Sequence, residues 1–334
     1  MKTFKNRAIP VFNLQNEHFV VQYWQSFLLL GGYMKKRLFS FGLLLIGIIF
    51  LVSCSKSYDV VGSGDYIEKE YRLSSNINSL VIDNLKVINE NEIIPIVVNV
   101  FEADEPTLIV RTQENIHEHI KIDQAVNSLN IVGDEGVSFY TKDIEIEVYG
   151  CYFNEISCSF CTLNCDLFGN NAVVRLKKAS TLTIFHLKNK SFQITLDNYC
   201  YLDIRAMDLT SFDATIKDNA SIKINRAYCK EFSIQATHGL VKVDDLTTSN
   251  SSFELSSNSE VDVSGKSENN SITATTGANF MGKEYKTDTI TLVAAGNSFI
   301  EIYGINAIFV FDTGAKDIKY YGPAIVTKTI FISK

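Results

Sequence analysis

The chain has 334 residues, 46% of them hydrophobic and 21% charged, which excludes wholesale disorder. Four prolines and 18 glycines exclude a collagen-like or proline-rich chain. A formal net charge of −7 argues against nucleic acid as a partner, because that class needs a basic footprint.

The first 54 residues read as an address. Lys35, Lys36 and Arg37 follow Met34, Leu38 to Phe50 is almost wholly apolar, and Leu51-Val52-Ser53-Cys54 closes the run. A positive start, a short apolar stretch and small residues before a cut describe a signal peptide; a spanning helix needs about 20 apolar residues. The last four residues fit a bacterial lipobox, which makes Cys54 the expected lipidation site and 34–54 a lipoprotein signal. Residues 1–33 then read as an extension from an early start, with Met34 the true start; a genuine cytoplasmic extension is the alternative. Residues 1–54 hold six basic side chains and one acidic, so the remainder carries 25 basic against 37 acidic, a net of −12. The expected product is an acidic body tethered to a membrane through lipid.

Residues 55–61 are expected to form the tether, and 62–330 a single domain. From Gly62 onward the chain alternates apolar and polar residues, as strands do. Leu80-Val81-Ile82, Ile144 to Val148 and Leu202-Asp203-Ile204 are examples.

From about residue 170 the alternation repeats. Phe192, Phe212, Phe232, Phe253, Ile272, Ile290 and Ile308 each open a similar apolar pair, at intervals of about 18–21 residues. A second arm follows about ten residues on, as in Leu202-Ile204, Ile222-Ile224 and Val241-Val243, with a polar turn such as Asp197-Asn198 between arms. Units too short to bury their own apolar face must stack. The predicted fold is all-β, a right-handed parallel β-helix with two strands and two turns per coil. Its inward ladders place Phe192 over Phe212 over Phe232, and Leu202 over Ile222 over Val241. An antiparallel β-sandwich is the runner-up, but it does not require one residue type at one phase of a 20-residue period. Residues 62–100 are expected to begin the stack and Thr327 to Ser333 to finish it.

Three stretches carry a family resemblance. The first holds Gly62-Ser63-Gly64, Glu70-Tyr71-Arg72 and Ile77 to Val87. The second runs from Val98 to Ile131 with Glu102-Ala103-Asp104. The third includes Asp312-Thr313-Gly314-Ala315 and Tyr320-Tyr321-Gly322-Pro323. Over about 62–330 the chain resembles the auto-transporter adhesin head family, or GIN domain. The resemblance implies a secreted or lipid-anchored β-helical protein of Gram-negative bacteria without established catalytic residues. The chain departs from the pattern around 151–168, which is cysteine-rich and lacks the usual proline-bearing connection.

Candidate chemistry is sparse. Cys151, Cys158, Cys161 and Cys165 allow three readings: small core thiols, a disulfide permitted by export, or a thiolate metal site that would still need a fourth ligand. Cys161 and Cys200 fall at bends. His117 and His119 would share one face of a strand, opposite Ile116, Ile120 and Ile122; two ligands do not make a metal site, and a solvated face is the expectation. Asp203, Asp244, Asp245 and Asp262 are the carboxylates that a glycan-cleaving β-helix would use, yet Asx turns and solubility explain them equally well. No Ser-His-Asp order, phosphate loop or HExxH is present. Asp288-Thr289-Ile290 matches a short O-glycosylation pattern. Ser, Thr and Asn are dense from Thr247 to Thr276 and offer a polar face. The expected function is a non-enzymatic, cofactor-free binding or adhesion module of the cell envelope, meeting a glycan or a protein of the envelope or a host surface. The alternatives are a polysaccharide lyase or hydrolase and a purely structural envelope protein. Ser55 to Asp59 lack the acidic run that directs some lipoproteins to the surface.

Overall fold

The computed structural model describes residues 58–330, apart from 91 and 313. The readings of 1–33, of 34–54 and of Cys54 lie outside the described residues. Strands make up 73% of the described residues and helix about 1%, in a β-solenoid of about 9 turns.

The regular coils begin with Phe168–Lys177 and continue through Thr181–Leu196, Tyr201–Lys217, the pair Ser221–Ile224 and Ala227–Thr237, Leu240–Ser256, Glu260–Ala274, Asn279–Ala294 and Phe299–Asp312. Neighbouring coils pair in parallel, as in Leu182↔Leu202 and Phe192↔Phe212. The stacked rows bury Leu202 with Ile222 and Val241 as expected.

Each coil has three sides, not two arms. In Tyr201–Lys217 the buried residues are Leu202 and Ile204, then Met207 and Leu209, then Phe212, Ala214 and Ile216. Strict alternation fails twice, at Arg205-Ala206 and at Thr210-Ser211, where two successive residues face outward. Alternate side chains point to opposite faces of a strand, so an extra outward residue is a corner. The polar stretch expected as a second turn is such a corner, and strand pairing runs through it from His186↔Ala206 to Ser191↔Ser211.

One true turn remains per coil, and it is built on left-handed backbone. Asn198 and Tyr199, Asp218 and Asn219, and Ser257 and Asn258 all have φ between 51° and 63°. Asn and Asp tolerate this conformation because their short polar side chains bond locally. The turns are tied coil to coil, Tyr199 N–H to the Asp218 carbonyl at 3.1 Å and Asn258 N–H to the Thr276 carbonyl at 3.0 Å. The residue after each turn is small and buried: Ser180, Cys200, Ala220, Ser259, Ala278, Ser298. Gly239 occupies the same place in a turn one residue shorter, where a Cβ would meet Ile216 Cγ2 at 2.5 Å.

That shorter turn moves the register. The Phe row runs Phe192, Phe212, Phe232, Ser251, Asn270, Ile290, Ile308. Phe253, expected as the next rung after Phe232, pairs instead with Ile234, and Ile272 follows it one row further in. Apolar phase selects the nearest large side chain, whereas backbone pairing obeys turn length.

The start of the stack is not sequential. Ser79–Asp83 and Ile96–Phe101 lie directly against Phe153–Ser159 and Cys161–Asn164. The outer layer is antiparallel: Tyr66–Arg72 on Thr107–Gln113, and Ile120–Gln124 on Ser128–Gly133. The cap expected from residues 62–100 is therefore drawn largely from 66–72 and 107–124. Antiparallel strand pairs and a Glu68–Arg111–Glu147 ion-pair chain, with contacts of 2.7 and 2.8 Å, cover an edge that parallel coils would leave open. Part of the expected tether joins in, because Tyr58–Val61 pairs in parallel with Val137–Tyr140 and buries Val60. Val60-Val61 supplies the β-branched character that 55–57 lacks. At the other end Asp317–Tyr321 and Ile325–Ile330 form the last described coil, with Ile325 and Val326 exposed.

Candidate functional site

Cys151, Cys158, Cys161, Cys165, Cys200 and Cys229 are all buried and free. Cys158 and Cys161 flank a tight turn whose Phe160 has φ 53°, and Cys200 belongs to the ladder of small residues after the turns. A hydrogen bond with Cys161, followed by burial, pushes the Cys158 thiol up. Burial takes Cys151 to about 11 and Cys165 to about 12. A thiol must ionise to attack or to ligate, so these groups are chemically quiet at neutral pH. Among the described residues no three His, Cys, Asp or Glu side chains gather as a metal site.

The two histidines part company. Glu114–His117 is a single helical turn, not strand, and His117 is buried with Nε2 3.2 Å from the Ile67 carbonyl. Burial pushes its pKa down. His119 lies 3.0 Å from Asp134, whose other oxygen holds Lys121 at 2.6 Å. The expected shared solvated face does not form, because the helical turn rotates one imidazole inward.

The four aspartates do not converge. Asp203 and Asp262 share an outward row of the first side, with Lys223 and Lys242 between them. Three coil steps separate them by ~14 Å at the usual strand spacing, beyond the ~5–9.5 Å of glycosidase carboxylate pairs. Asp244 and Asp245 sit on a corner, and Asp244 is 3.5 Å from Lys242.

The third side is different. Where the Phe row gives way to Ser251 and Asn270, the interior around the second corner turns polar: Thr248, Ser251, Ser267, Asn270 and Thr287 are all buried. Tyr285 enters from the second side beside Gly265, where any Cβ would meet the Leu246 carbonyl at 2.1 Å. Its ring fills volume that the shorter side chains vacate and packs edge-on against Phe253. Its hydroxyl donates to Ser251 Oγ at 3.0 Å, and burial pushes its pKa up to about 12. Ser267 and Thr287 hydroxyls pair at 3.0 Å. Both carboxamide atoms of Asn270 are buried without a partner among the described residues.

Over this polar interior, on the outside of the same side, lies a groove of about 330 Å³. Its edge is a hydrogen-bonded row: Asn250 donates to Glu231 at 2.9 Å, and Asn269 donates to Asn250 at 3.0 Å. The adjoining row is Ser233, Ser252, Ser271 and Thr291. Thr289 of the short glycosylation pattern also lines the groove. The density of Ser, Thr and Asn between 247 and 276 pointed to this region, but the groove and Tyr285 were missed. The available signal was Ser251 and Asn270 falling one and two repeat lengths after Phe232, at positions where the ladder calls for apolar residues.

A family profile described as "Putative auto-transporter adhesin, head GIN domain" matches residues 93–324. The chain belongs to that family. No curated protein matches this GIN-domain chain. Among solved structures, a putative adhesin from Parabacteroides distasonis is 14% identical with a TM-score of 0.42, covering 82% of this chain and 96% of its own. A putative adhesin from Parabacteroides merdae is 15% identical with a TM-score of 0.38, over 81% and 95%. A putative lipid binding protein from P. distasonis is 12% identical with a TM-score of 0.36, over 82% and 96%.

Proposed function

We propose that this GIN-domain protein is an exported, lipid-anchored binding module of the cell envelope with no catalytic role. The observation that carries the reading is the third side. It offers a shaped polar groove on a rigid stack of paired strands, whereas the acidic side chains that chemistry would need are scattered along the coils. Rigid repeats with regular outward rows suit recognition of an extended partner. Membership of an adhesin-like family supports the same reading, as does the order Lys-Lys-Arg, apolar run, Leu-Val-Ser-Cys, with Cys54 the proposed anchor. The lipid holds the body at the outer membrane, with partners among glycans and proteins of the envelope or of a host surface.

Protease shaving of intact and permeabilised cells, followed with an antibody to the body, tests the placement. Degradation in intact cells is the outcome expected of an adhesion role. Protection until permeabilisation would confine the protein to periplasmic partners and remove direct adhesion. Radiolabelled palmitate should enter the chain and fail to enter Cys54→Ser.

A further inference from the structure

We propose that the groove on the third side is a binding site for a neutral saccharide chain lying along the solenoid axis; this deepens the binding reading above and rests on it. Four observations on one face lead there.

The first is charge. The three outward rows of this side begin at Asn171, Val173 and Arg175 and run across the coils to Ala307, Phe309 and Phe311. Their one basic side chain is Arg175, in the first coil and ion-paired with Glu155, and none lines the groove, although the other two sides carry Lys223 and Lys242, and Lys266 and Lys286. Glu231 and Glu254 lie on this face, so a polyanion would meet repulsion and no counter-charge.

The second is hydrogen-bonding capacity. The ladder Asn269→Asn250→Glu231 uses one N–H of each amide, because a carboxamide has two donors and an acceptor. One N–H on each Asn and the side-chain Oδ1 of Asn269 therefore remain for a ligand, held in orientation by the ladder. Ser252, Ser271 and Thr291 place hydroxyls beside them, one per coil at the ~4.8 Å strand spacing. Paired donors and acceptors repeated along an axis match the vicinal hydroxyls of a sugar polymer.

The third is an aromatic step. Thr291 pairs with Phe309 and Val293 with Phe311, both outward and both more than a third exposed. An aromatic face at the end of a polar groove suits the C–H face of a pyranose, apolar on one side and hydroxylated at its rim.

The fourth is shape. From Glu231 to Thr291 the groove crosses four coils, a span of ~14 Å at that spacing, which fits a short stretch of sugar units. Protein interfaces instead bury about 800 Å² per partner around an apolar core depleted of serine.

The test is calorimetric titration of the full chain, purified in detergent, with maltohexaose, cellohexaose and mannohexaose, beside heparin and polygalacturonate as anionic probes. At least one neutral oligosaccharide should bind, and the anionic probes should not. Ser252→Arg, on an outward position, should weaken binding at least tenfold with the melting temperature unchanged. Asn269→Ala and Phe309→Ala should each weaken it several-fold. Equal binding of anionic probes, no binding of any neutral one, or full affinity in Ser252→Arg would overturn the proposal. If Ser252→Arg loses no affinity for whole envelope extract while the neutral sugars fail, the groove is refuted and the envelope-binding reading stands. If the extract is not bound at all, that reading falls as well.

Discussion

Two stretches of the same solenoid solve one packing problem differently. Between residues 192 and 236 the third side is closed by aromatic rings: Phe192, Phe212 and Phe232 stack with centroids 6.2 and 5.2 Å apart, and Phe168, ahead of Ala172 in that row, meets Phe192 edge-on. Between 248 and 290 the same row holds Ser251 and Asn270, and one tyrosine from another side supplies the missing volume. The apolar stretch gains its stability from burial, which is non-directional. The polar stretch depends on hydrogen bonds that must each find a partner, because an unpaired buried group costs the full loss of its hydration. The groove lies over the polar stretch. Short side chains on both faces of the strand accompany the concave surface there.

This contrast can be broken at chosen positions. Phe212→Ala, in the middle of the ring stack, should cost ~3–5 kcal/mol in chemical denaturation; a loss below ~1 kcal/mol would remove the ladder as a source of stability. Tyr285→Phe keeps the ring and deletes the hydroxyl, so a loss of ~1 kcal/mol is expected, since Ser251 retains its bond to the Asn269 carbonyl. A loss as large as that of Phe212→Ala would mean that hydrogen bonding, not volume, holds the polar coils. Asn270→Leu should raise stability by up to ~1 kcal/mol, because an apolar group of similar size replaces an unpartnered amide. A clear destabilisation would show that the amide is satisfied in solution.

Two smaller effects sharpen the comparison between core and cap. His117 has a folded pKa below its unfolded value, so the unfolded chain binds the extra proton first. Its contribution is whole above pH ~6.5 and is lost as pH falls from there through the folded value. The unfolding midpoint should fall on acidification across that window, and His117→Gln should flatten the slope; an unchanged slope would place the titration elsewhere. The buried cysteines should resist iodoacetamide in the native protein at pH 7.5 and react fully after denaturation. Labelling of Cys165 in the folded state would contradict its burial.

Much of the architecture was legible because repetition amplifies a weak signal. One alternating strand says little, but Phe192, Phe212 and Phe232 at a constant interval can only be satisfied by stacking. The polar turns were legible for the same reason, as Asn198, Asn219 and Asn258 recur where left-handed backbone is needed. The groove was half legible: its composition stood out, but not its walls. Asn250 and Asn269 are 19 residues apart, and their hydrogen bond exists only because coils pair in register.

The sequence by itself determined that this chain is β-structured, repetitive and stacked, since side-chain period and turn chemistry are local properties of the chain. Tertiary structure alone decided the third side of each coil, the slip that puts Ser251 rather than Phe253 beneath Phe232, and the antiparallel cap drawn from 66–72 and 107–124. Each depends on which backbone groups pair across coils. A turn shortened by one residue at Gly239 changes that pairing for the next coil, and a register shift between Val243 and Leu246 changes it again for the one after, while both leave the local pattern of apolar and polar residues almost untouched.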